Sequence, residues 1–301
     1  MAFADLKNDF VFRRIFATHP DILRGLLNDL LDRRGDQAID GIEYLPSEQL
    51  PLVAGAKLSI LDVRCKDRSG TTFVVEMQLI HHPGFVNRVV YNACKAYVGQ
   101  LKAGKWYDSL TDVVAISICD FEIWPDAAQK ARGLDAVPML SRWNMAERAS
   151  GNAGLLQVQY AFLELPKLPA RKPDTGASQW AWLFVHAPEL TEVPADLPRL
   201  YQDALALANK ATFTQEELDA YEKTRDEIQQ VLAIAEARWV EGEAAGELKG
   251  RRDTLLRLVG RAGIALSEED RARIQSCIDE ATLDRWIDNV FGAKTATDVL
   301  S

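Results

Sequence analysis

Residues 60–78 read ILDVRCKDRSGTTFVVEMQ, and this stretch decides how the fold of the chain is interpreted. Apolar, β-branched segments lie on both sides of the polar residues 66–70, a pattern typical of two strands joined by a turn. If residues 66 and 72 pair across the turn, Glu76 lies opposite Asp62 on the neighbouring strand. The stretch therefore predicts an antiparallel hairpin that carries one carboxylate on each strand.

Residues 73–80 of this hairpin are apolar except for Glu76 and Gln78. Side chains alternate along a strand, so these two project from the same face. Two carboxylates on adjacent strands repel each other unless a cation or a proton compensates. Oxygen ligands of this kind suit Mg²⁺ or Mn²⁺, which predicts a metal site at Asp62 and Glu76. The alternative is that all three polar side chains simply face solvent on one side of the hairpin.

The segments around the hairpin predict an α/β fold. Apolar residues at spacings of three and four indicate helices, whereas short β-branched runs indicate strands. The pattern gives two helices within residues 9–31, strands at 39–46, 57–65 and 71–80, a helix at 86–101, a strand at 112–119, and a hairpin formed by 140–145 and 157–165. We therefore expect a mixed β-sheet flanked by helices.

The rest of the chain predicts a mainly α-helical region. Residues 166–174 hold three prolines and indicate a linker or a long surface loop. Farther on the pattern is nearly all helical, although glycines at 242, 246 and 250 lower helix propensity and favour either close helix contact or flexible coil. We expect a core over residues 1–165, a linker and helical accessory region over 166–240, and a C-terminal helical tail over 241–301.

Composition limits the classes of protein that this chain can be. Of its 301 residues 48% are hydrophobic and 26% charged, as in an ordinary globular protein rather than a disordered or disulfide-rich one. No apolar run reaches the roughly 18 residues of a membrane helix, and charged residues interrupt the N-terminus, so we expect a cytoplasmic protein. Residues 1–110 carry a net charge of +1 and residues 111–301 carry −10. A polyanion would therefore meet the N-terminal part of the chain.

Four segments together resemble a known nuclease family. They are NDFVFRRIF (8–16), ILDVRCKDRSGTTFVVEMQ (60–78), NRVVYNACKAYVGQLKAGKWYDSL (87–110) and YAFLELPKL (160–168). In this order and spacing they resemble the recombination-promoting nuclease and transposase family of the PD-(D/E)XK nuclease superfamily. The resemblance implies a restriction-endonuclease-like core, metal-binding carboxylates at Asp62 and Glu76, and a polar group at Gln78 that helps to position the metal or the nucleophilic water.

Gln78 departs from the superfamily pattern, because lysine is more usual at that position. Glutamine carries no charge and cannot act as a base. Lys95, on the following predicted helix, is the cation that we expect to replace it. Arg88, Tyr91 and Lys95 also lie at i, i+3 and i+7, on one helix face, as contacts to DNA phosphates would require. The alternative for this face is an ordinary solvated stripe with Tyr91 half-buried.

The resemblance implies a Mg²⁺-dependent or Mn²⁺-dependent endonuclease that hydrolyses DNA phosphodiester bonds and promotes recombination. The alternatives are a nuclease-fold module that binds or assembles nucleic acid with little or no catalysis, and a ribonuclease. We also expect a homodimer held by the C-terminal helices, because two apolar stripes there need a covering surface, although a tail folded back on its own core would satisfy them too. The stripes comprise Ile228, Val231, Leu232 and Ala235, and Ile287, Val290 and Phe291.

Overall fold

The computed structural model describes residues 2–49, 59–101, 104, 106–171 and 173–301, and for residues 49, 59, 60 and 235–245 it describes the backbone alone. The described residues form two compact units, Met1–Asp226 and Glu227–Ser301. Two hydrophobic clusters lie in the first unit and a third lies in the second unit. Each unit therefore has a core of its own.

A mixed sheet is the centre of the first unit, which confirms the predicted sheet type. The strands are β1 (Ile42–Tyr44), β2 (Glu48–Gln49), β3 (Ser59–Ile60), β4 (Val63–Asp67), β5 (Thr72–Gln78), β6 (Val113–Cys119), β7 (Leu140–Ala146) and β8 (Ala153–Glu164). Six of them form one sheet in the order β1-β4-β5-β6-β8-β7, while β2 pairs with β3 separately. β5 is parallel to β6, and β6 is parallel to β8. The C-terminal ends of these three strands therefore lie at one edge of the sheet, where α/β proteins commonly bind ligands.

Helices pack on both faces of this sheet and form the C-terminal unit. In the described part of the chain they are α1 (Asp9–Phe16), α2 (Pro20–Leu31), α3 (Phe85–Val98), α4 (Asp126–Ala131), α5 (Gly176–His186), α6 (Arg199–Leu207), α7 (Gln215–Arg261), α8 (Glu268–Ser276), α9 (Glu280–Asn289) and α10 (Ala296–Val299). The side chain of Asn8 accepts the free N–H groups at the start of α1, and Pro20 begins α2. The two short helices predicted at the N-terminus are confirmed.

The hairpin of β4 and β5 has the predicted register. Lys66 pairs with Thr72 and the ladder continues to Val63 and Val75, so Asp62 lies one residue beyond the last pair. The turn includes Gly70 at a φ of +91°, a left-handed conformation that glycine adopts without strain. The beginning of the predicted first strand of the hairpin, residues 57–58, lies outside the described residues.

Both faces of the sheet are covered. Phe73, Val75 and Met77 belong to a large cluster formed with side chains of α1, α2, α5 and α6. Val74 belongs instead to a second cluster, formed with the buried side of α3. Because side chains alternate along β5, Glu76 and Gln78 project from the same face as Val74. The alternation therefore directs both polar side chains toward α3.

The second unit is helical, as the sequence predicted. α7 continues without a break through the three glycines of EGEAAGELKG, where strong helix formers such as Ala, Glu and Leu surround them. The core of this unit buries Val290, and Ile287 packs against it, whereas Phe291 is 81% exposed. The second predicted stripe is thus covered in large part within its own unit. In the described regions no helix combines the length and the apolar character needed to cross a bilayer.

Candidate active site

Two carboxylates lie together near the C-terminal end of β5. Asp62 accepts a hydrogen bond on Oδ2 from the backbone N–H of Met77, at 2.7 Å, so its carboxylate lies beside the residue that follows Glu76. The Asp62 side chain is 14% exposed and Glu76 is 6% exposed. The structure therefore brings Asp62 and Glu76 to the same end of the hairpin, where the sequence predicted a metal site.

Glu76 has its partners on α3. The side-chain amide of Asn92 donates from Nδ2 to Oε1 of Glu76 at 3.0 Å. Burial raises the pKa of Glu76, while the positive charge of Arg88 and the hydrogen bond from Asn92 oppose this effect. Glu76 is therefore a buried carboxylate whose charge is only partly compensated.

Asp62 lies in a more negative environment. Burial raises the pKa of Asp62 to about 7, and the charges of Asp9 and Glu76 add to that effect, while the Met77 hydrogen bond and Arg13 oppose it. Arg13 lies between two carboxylates, with Nη2 at 3.4 Å from Asp62 Oδ1 and Nε at 3.2 Å from Asp9 Oδ1. One arginine is thus shared between two negative charges, which leaves Asp62 in need of a further cation or a proton.

Gln78, the last residue of β5, contacts α3 directly. Nη2 of Arg88 donates a hydrogen bond to the Gln78 side-chain oxygen, Oε1. The same guanidinium lies 5.7 Å from the centre of the Phe85 ring, one helical turn earlier. The cation that contacts the glutamine is therefore Arg88, a residue that the sequence assigned to DNA phosphates.

Lys95 and Tyr91 lie farther along α3. Lys95 is 6% exposed, and its Nζ lies 5.8 Å from the centre of the Tyr91 ring. Tyr91 itself is 45% exposed. Lys95 follows Asn92 by three residues, so both belong to the buried side of the helix. On the predicted phosphate-binding face Tyr91 is therefore exposed, Arg88 is half-buried and Lys95 is buried.

Sequence reasoning missed three residues of this site. Asn92 interrupts the apolar side of α3 that includes Val89 and Ala96, and a polar residue in such a stripe is a signal that could have been read. Asp9 and Arg13 form an i,i+4 pair on α1, a spacing common on solvated helices. Nothing local to α1 indicates that Arg13 contacts Asp62, which lies 49 residues later, just before β4.

The donor set fits a divalent cation with few protein ligands. In the described portion of the chain, no group of three or more His, Cys, Asp and Glu side chains is arranged to hold a metal ion. Mg²⁺ is commonly bound by one or two carboxylates, and water and substrate phosphate complete its coordination. Asp62 and Glu76 supply that pair, and a cation between them would offset the burial that raises the pKa of each.

The chain matches a known protein family over a range that includes every residue of this site. The model of the PD-(D/E)XK nuclease family transposase matches residues 6–236, more than half of the chain. Neither a curated protein nor a solved structure matches the chain significantly. The matched range includes α1, the β4–β5 hairpin and α3, which together position the two carboxylates. The chain therefore belongs to the PD-(D/E)XK nuclease family transposases.

Proposed function

We propose that this protein is a divalent-metal-dependent endonuclease that hydrolyses phosphodiester bonds in DNA, a cleavage that would promote recombination. The observation that carries the proposal is the pair of largely buried carboxylates, Asp62 and Glu76, whose pKa values burial raises. Carboxylates whose charge is left partly uncompensated in a folded protein are costly, and they collect at sites that bind ligands or perform chemistry. Membership in a nuclease family supports phosphodiester hydrolysis as that chemistry.

The protein side chains have distinct roles in this proposal. Asp62 and Glu76 hold Mg²⁺ or Mn²⁺, which when bound would stabilise the charge that develops on the phosphate and activate water. Met77 holds one oxygen of Asp62 and Asn92 holds one oxygen of Glu76, so both carboxylates are oriented before the substrate arrives. Hydrolysis joins the oxygen of water to phosphorus and breaks one ester bond, and the proton that water loses is balanced by the one that the leaving alkoxide takes from solvent.

The test combines metal binding with cleavage. Wild-type protein should bind Mn²⁺ in calorimetry and should cut duplex DNA with Mg²⁺ or Mn²⁺ until EDTA is added. Asp62→Asn and Glu76→Gln should lose both properties, because each removes one of the two metal-binding carboxylates. Glu43→Gln is the matched control, since it neutralises a carboxylate that is 67% exposed on β1 of the same sheet. If Glu43→Gln and Asp62→Asn bind Mn²⁺ equally well, the metal site is elsewhere.

A second candidate is a nuclease-fold module that binds nucleic acid with little catalysis. It is favoured by one observation, that the residue at position 78, where the superfamily pattern usually has lysine, is a glutamine, which cannot carry charge or take up a proton. Wild-type protein that binds DNA and Mn²⁺ but cleaves neither DNA nor RNA would support this candidate against the nuclease. Cleavage of RNA alone would retain the chemistry and change the substrate.

We extend the proposal to a homodimer held through α7. The side chains of Val231, Leu232 and Ile234 are 51%, 43% and 54% exposed, which is unusual for three apolar residues so close together. Two antiparallel DNA strands are matched by a two-fold pair of sites. Light scattering should give twice the 33.6 kDa of one chain, and Leu232→Glu should halve that mass, whereas Gln230→Glu should not. A wild-type protein that is monomeric at micromolar concentration would reject the dimer.

A further inference from the structure

Arg88 has unused hydrogen-bonding capacity beside the carboxylate pair. One of its terminal nitrogens is bound to Gln78, which fixes the guanidinium at the end of β5. Its Nε is shielded from solvent and has no hydrogen-bond partner among the residues that the structure describes. A buried donor without an acceptor costs about 1–3 kcal/mol. Such a donor is expected where an acceptor arrives with a ligand.

The guanidinium lies where a positive charge is missing from the site. Gln78 is neutral at the position where the superfamily usually has lysine, yet its side-chain oxygen accepts from Arg88. Arg88 is also close enough to Glu76 to affect the ionisation of that carboxylate. It is thus associated with both polar residues at the end of β5. Arginine suits this position, since it is always charged and presents several donors in a planar fork that matches a phosphate.

We propose that Arg88 is the catalytic cation of this site, held by Gln78 so that its guanidinium donates to a non-bridging oxygen of the scissile phosphate. This inference rests on the proposed nuclease function. Gln78 is then a positioning residue, because it acts through Arg88 rather than on the substrate. On this assignment Lys95, which is buried one helical turn beyond Asn92 and near Tyr91, is not the catalytic cation.

Cleavage kinetics test this assignment against an ordinary DNA contact. Arg88→Gln should lower kcat about 10²–10³-fold, as loss of one donor to transition-state charge does, and should change KM less than about threefold. Adding Gln78→Lys to that variant should recover at least tenfold in kcat, because a lysine then supplies the charge from the strand. Arg68→Gln is the matched control, since Arg68 is 76% exposed at the turn end of the same hairpin. Its kcat should equal that of the wild type.

Two kinetic outcomes would overturn the assignment. If Arg88→Gln raises KM and leaves kcat unchanged, Arg88 is a binding contact to a distant phosphate. If Lys95→Gln lowers kcat more than Arg88→Gln does, and Gln78→Lys rescues only the former, the cation is Lys95. Mn²⁺ binding by Arg88→Gln should be at least as tight as that of the wild type, because a repelling positive charge has been removed; weaker binding would indicate a disturbed metal site instead.

A spectroscopic measurement on the wild-type protein separates this inference from the nuclease function and uses a variant only to assign one signal. In wild-type protein labelled at arginine, the Nε–Hε signal of Arg88, assigned by its absence from Arg88→Lys, should shift when a DNA duplex is added with Ca²⁺. A shift without cleavage under any metal would refute the nuclease and retain the phosphate contact. Cleavage without a shift would refute the role of Arg88 and retain the nuclease.

Discussion

Two parallel strands of the same sheet have a buried glutamate near the C-terminal end, and the two glutamates are treated differently. Glu164 ends β8 with a fully buried side chain, and its carboxylate accepts the N–H groups of Ile123 and Trp124 and contacts Nζ of Lys167 at 3.3 Å. Among the residues that the structure describes, Glu76 of β5 accepts a hydrogen bond from Asn92 alone, has Arg88 as its nearby positive charge, and lies beside another carboxylate, Asp62. Within the described residues, only Glu164 of these two glutamates has a hydrogen-bond donor or a positive charge against each of its two carboxylate oxygens.

The difference teaches how to separate a structural carboxylate from a functional one. A buried charge that is paired and hydrogen-bonded holds its loops in place and has no capacity left for a ligand. A buried carboxylate whose pKa is raised and that has a like charge beside it does the opposite, since it destabilises the free protein and a bound cation would offset that cost. Burial alone would place the two glutamates in the same class.

The largest expected difference between the two glutamates is in the rate of DNA cleavage after substitution. Glu76→Gln should reduce the rate on the order of 10³-fold or more, because it removes the negative charge of one of the two carboxylates that we propose bind the metal. Glu164→Gln should retain the wild-type rate per folded molecule, measured at a temperature where the variant is folded. A cleavage defect of equal size in both variants would show that the two strand ends are not functionally distinct.

The second expected difference is in the free energy of unfolding, where Glu164→Gln should have the larger effect of the two. Glu164→Gln should lower the free energy of unfolding by about 3 kcal/mol, because the buried Lys167 loses its nearest carboxylate and keeps only two backbone carbonyls and Asp126, at 4.0 Å. Glu76→Gln should cost much less in the metal-free protein, since it removes a repulsion and retains an oxygen that accepts from Asn92. Urea denaturation with EDTA measures both, and a larger loss in Glu76→Gln would contradict the assignment.

The third effect is the pH dependence of stability that Asp62 produces. Because the pKa of Asp62 is raised, the folded metal-free protein binds a proton at this carboxyl more tightly than the unfolded chain does. The contribution of the protonated Asp62 to the free energy of unfolding is therefore complete in acid and is lost as the pH rises through about 7. Between pH 5 and pH 8, Asp62→Asn should therefore gain about 2 kcal/mol relative to wild type.

Denaturation at the two pH values in EDTA measures this gain. With saturating Mn²⁺ at pH 8 the wild type should instead be more stable than Asp62→Asn, because only the wild type gains binding free energy. A constant difference between the two proteins across this pH range would show that Asp62 is not a perturbed carboxylate.

The smallest effect concerns the hydrogen bond that orients Glu76. Asn92→Ala should lower kcat about three- to tenfold, which corresponds to the roughly 1 kcal/mol of one side-chain hydrogen bond. Asn92→Asp, which places a like charge against Glu76, should lower it further. Steady-state kinetics at saturating Mg²⁺ measure both variants, and a kcat that is the same in Asn92→Ala and wild type would remove Asn92 from the site.

Much of the fold could be predicted from the sequence because its signals are local. The polar turn and the apolar runs on both sides of it were enough for the register that pairs Lys66 with Thr72. The same alternation predicted that Glu76 and Gln78 share one face. Helical spacing at the N-terminus and after residue 85 indicated α1, α2 and α3. The helical C-terminal unit followed from composition, but its continuity through three glycines did not.

The site was harder to predict because its contacts join distant segments. Arg13 reaches Asp62 only because α1 packs on the sheet, and no spacing within either segment predicts that approach. The sequence favoured Lys95 as the cation that replaces the missing lysine, whereas the position of α3 over β5 decides that Arg88 meets Gln78. The structural role of Glu164 likewise depends on loops that end beside it.

By itself the sequence determined which residues alternate, which segments pair through a short turn, and where two carboxylates come close at the open end of that hairpin. Those properties depend on the two-residue period of a strand and on neighbours within about twenty positions. The tertiary structure alone decided how charged each carboxylate is and which cation accompanies it. The physical reason is that pKa values and ion pairs depend on burial and on distance in space, and both are set by the packing of helices against the sheet.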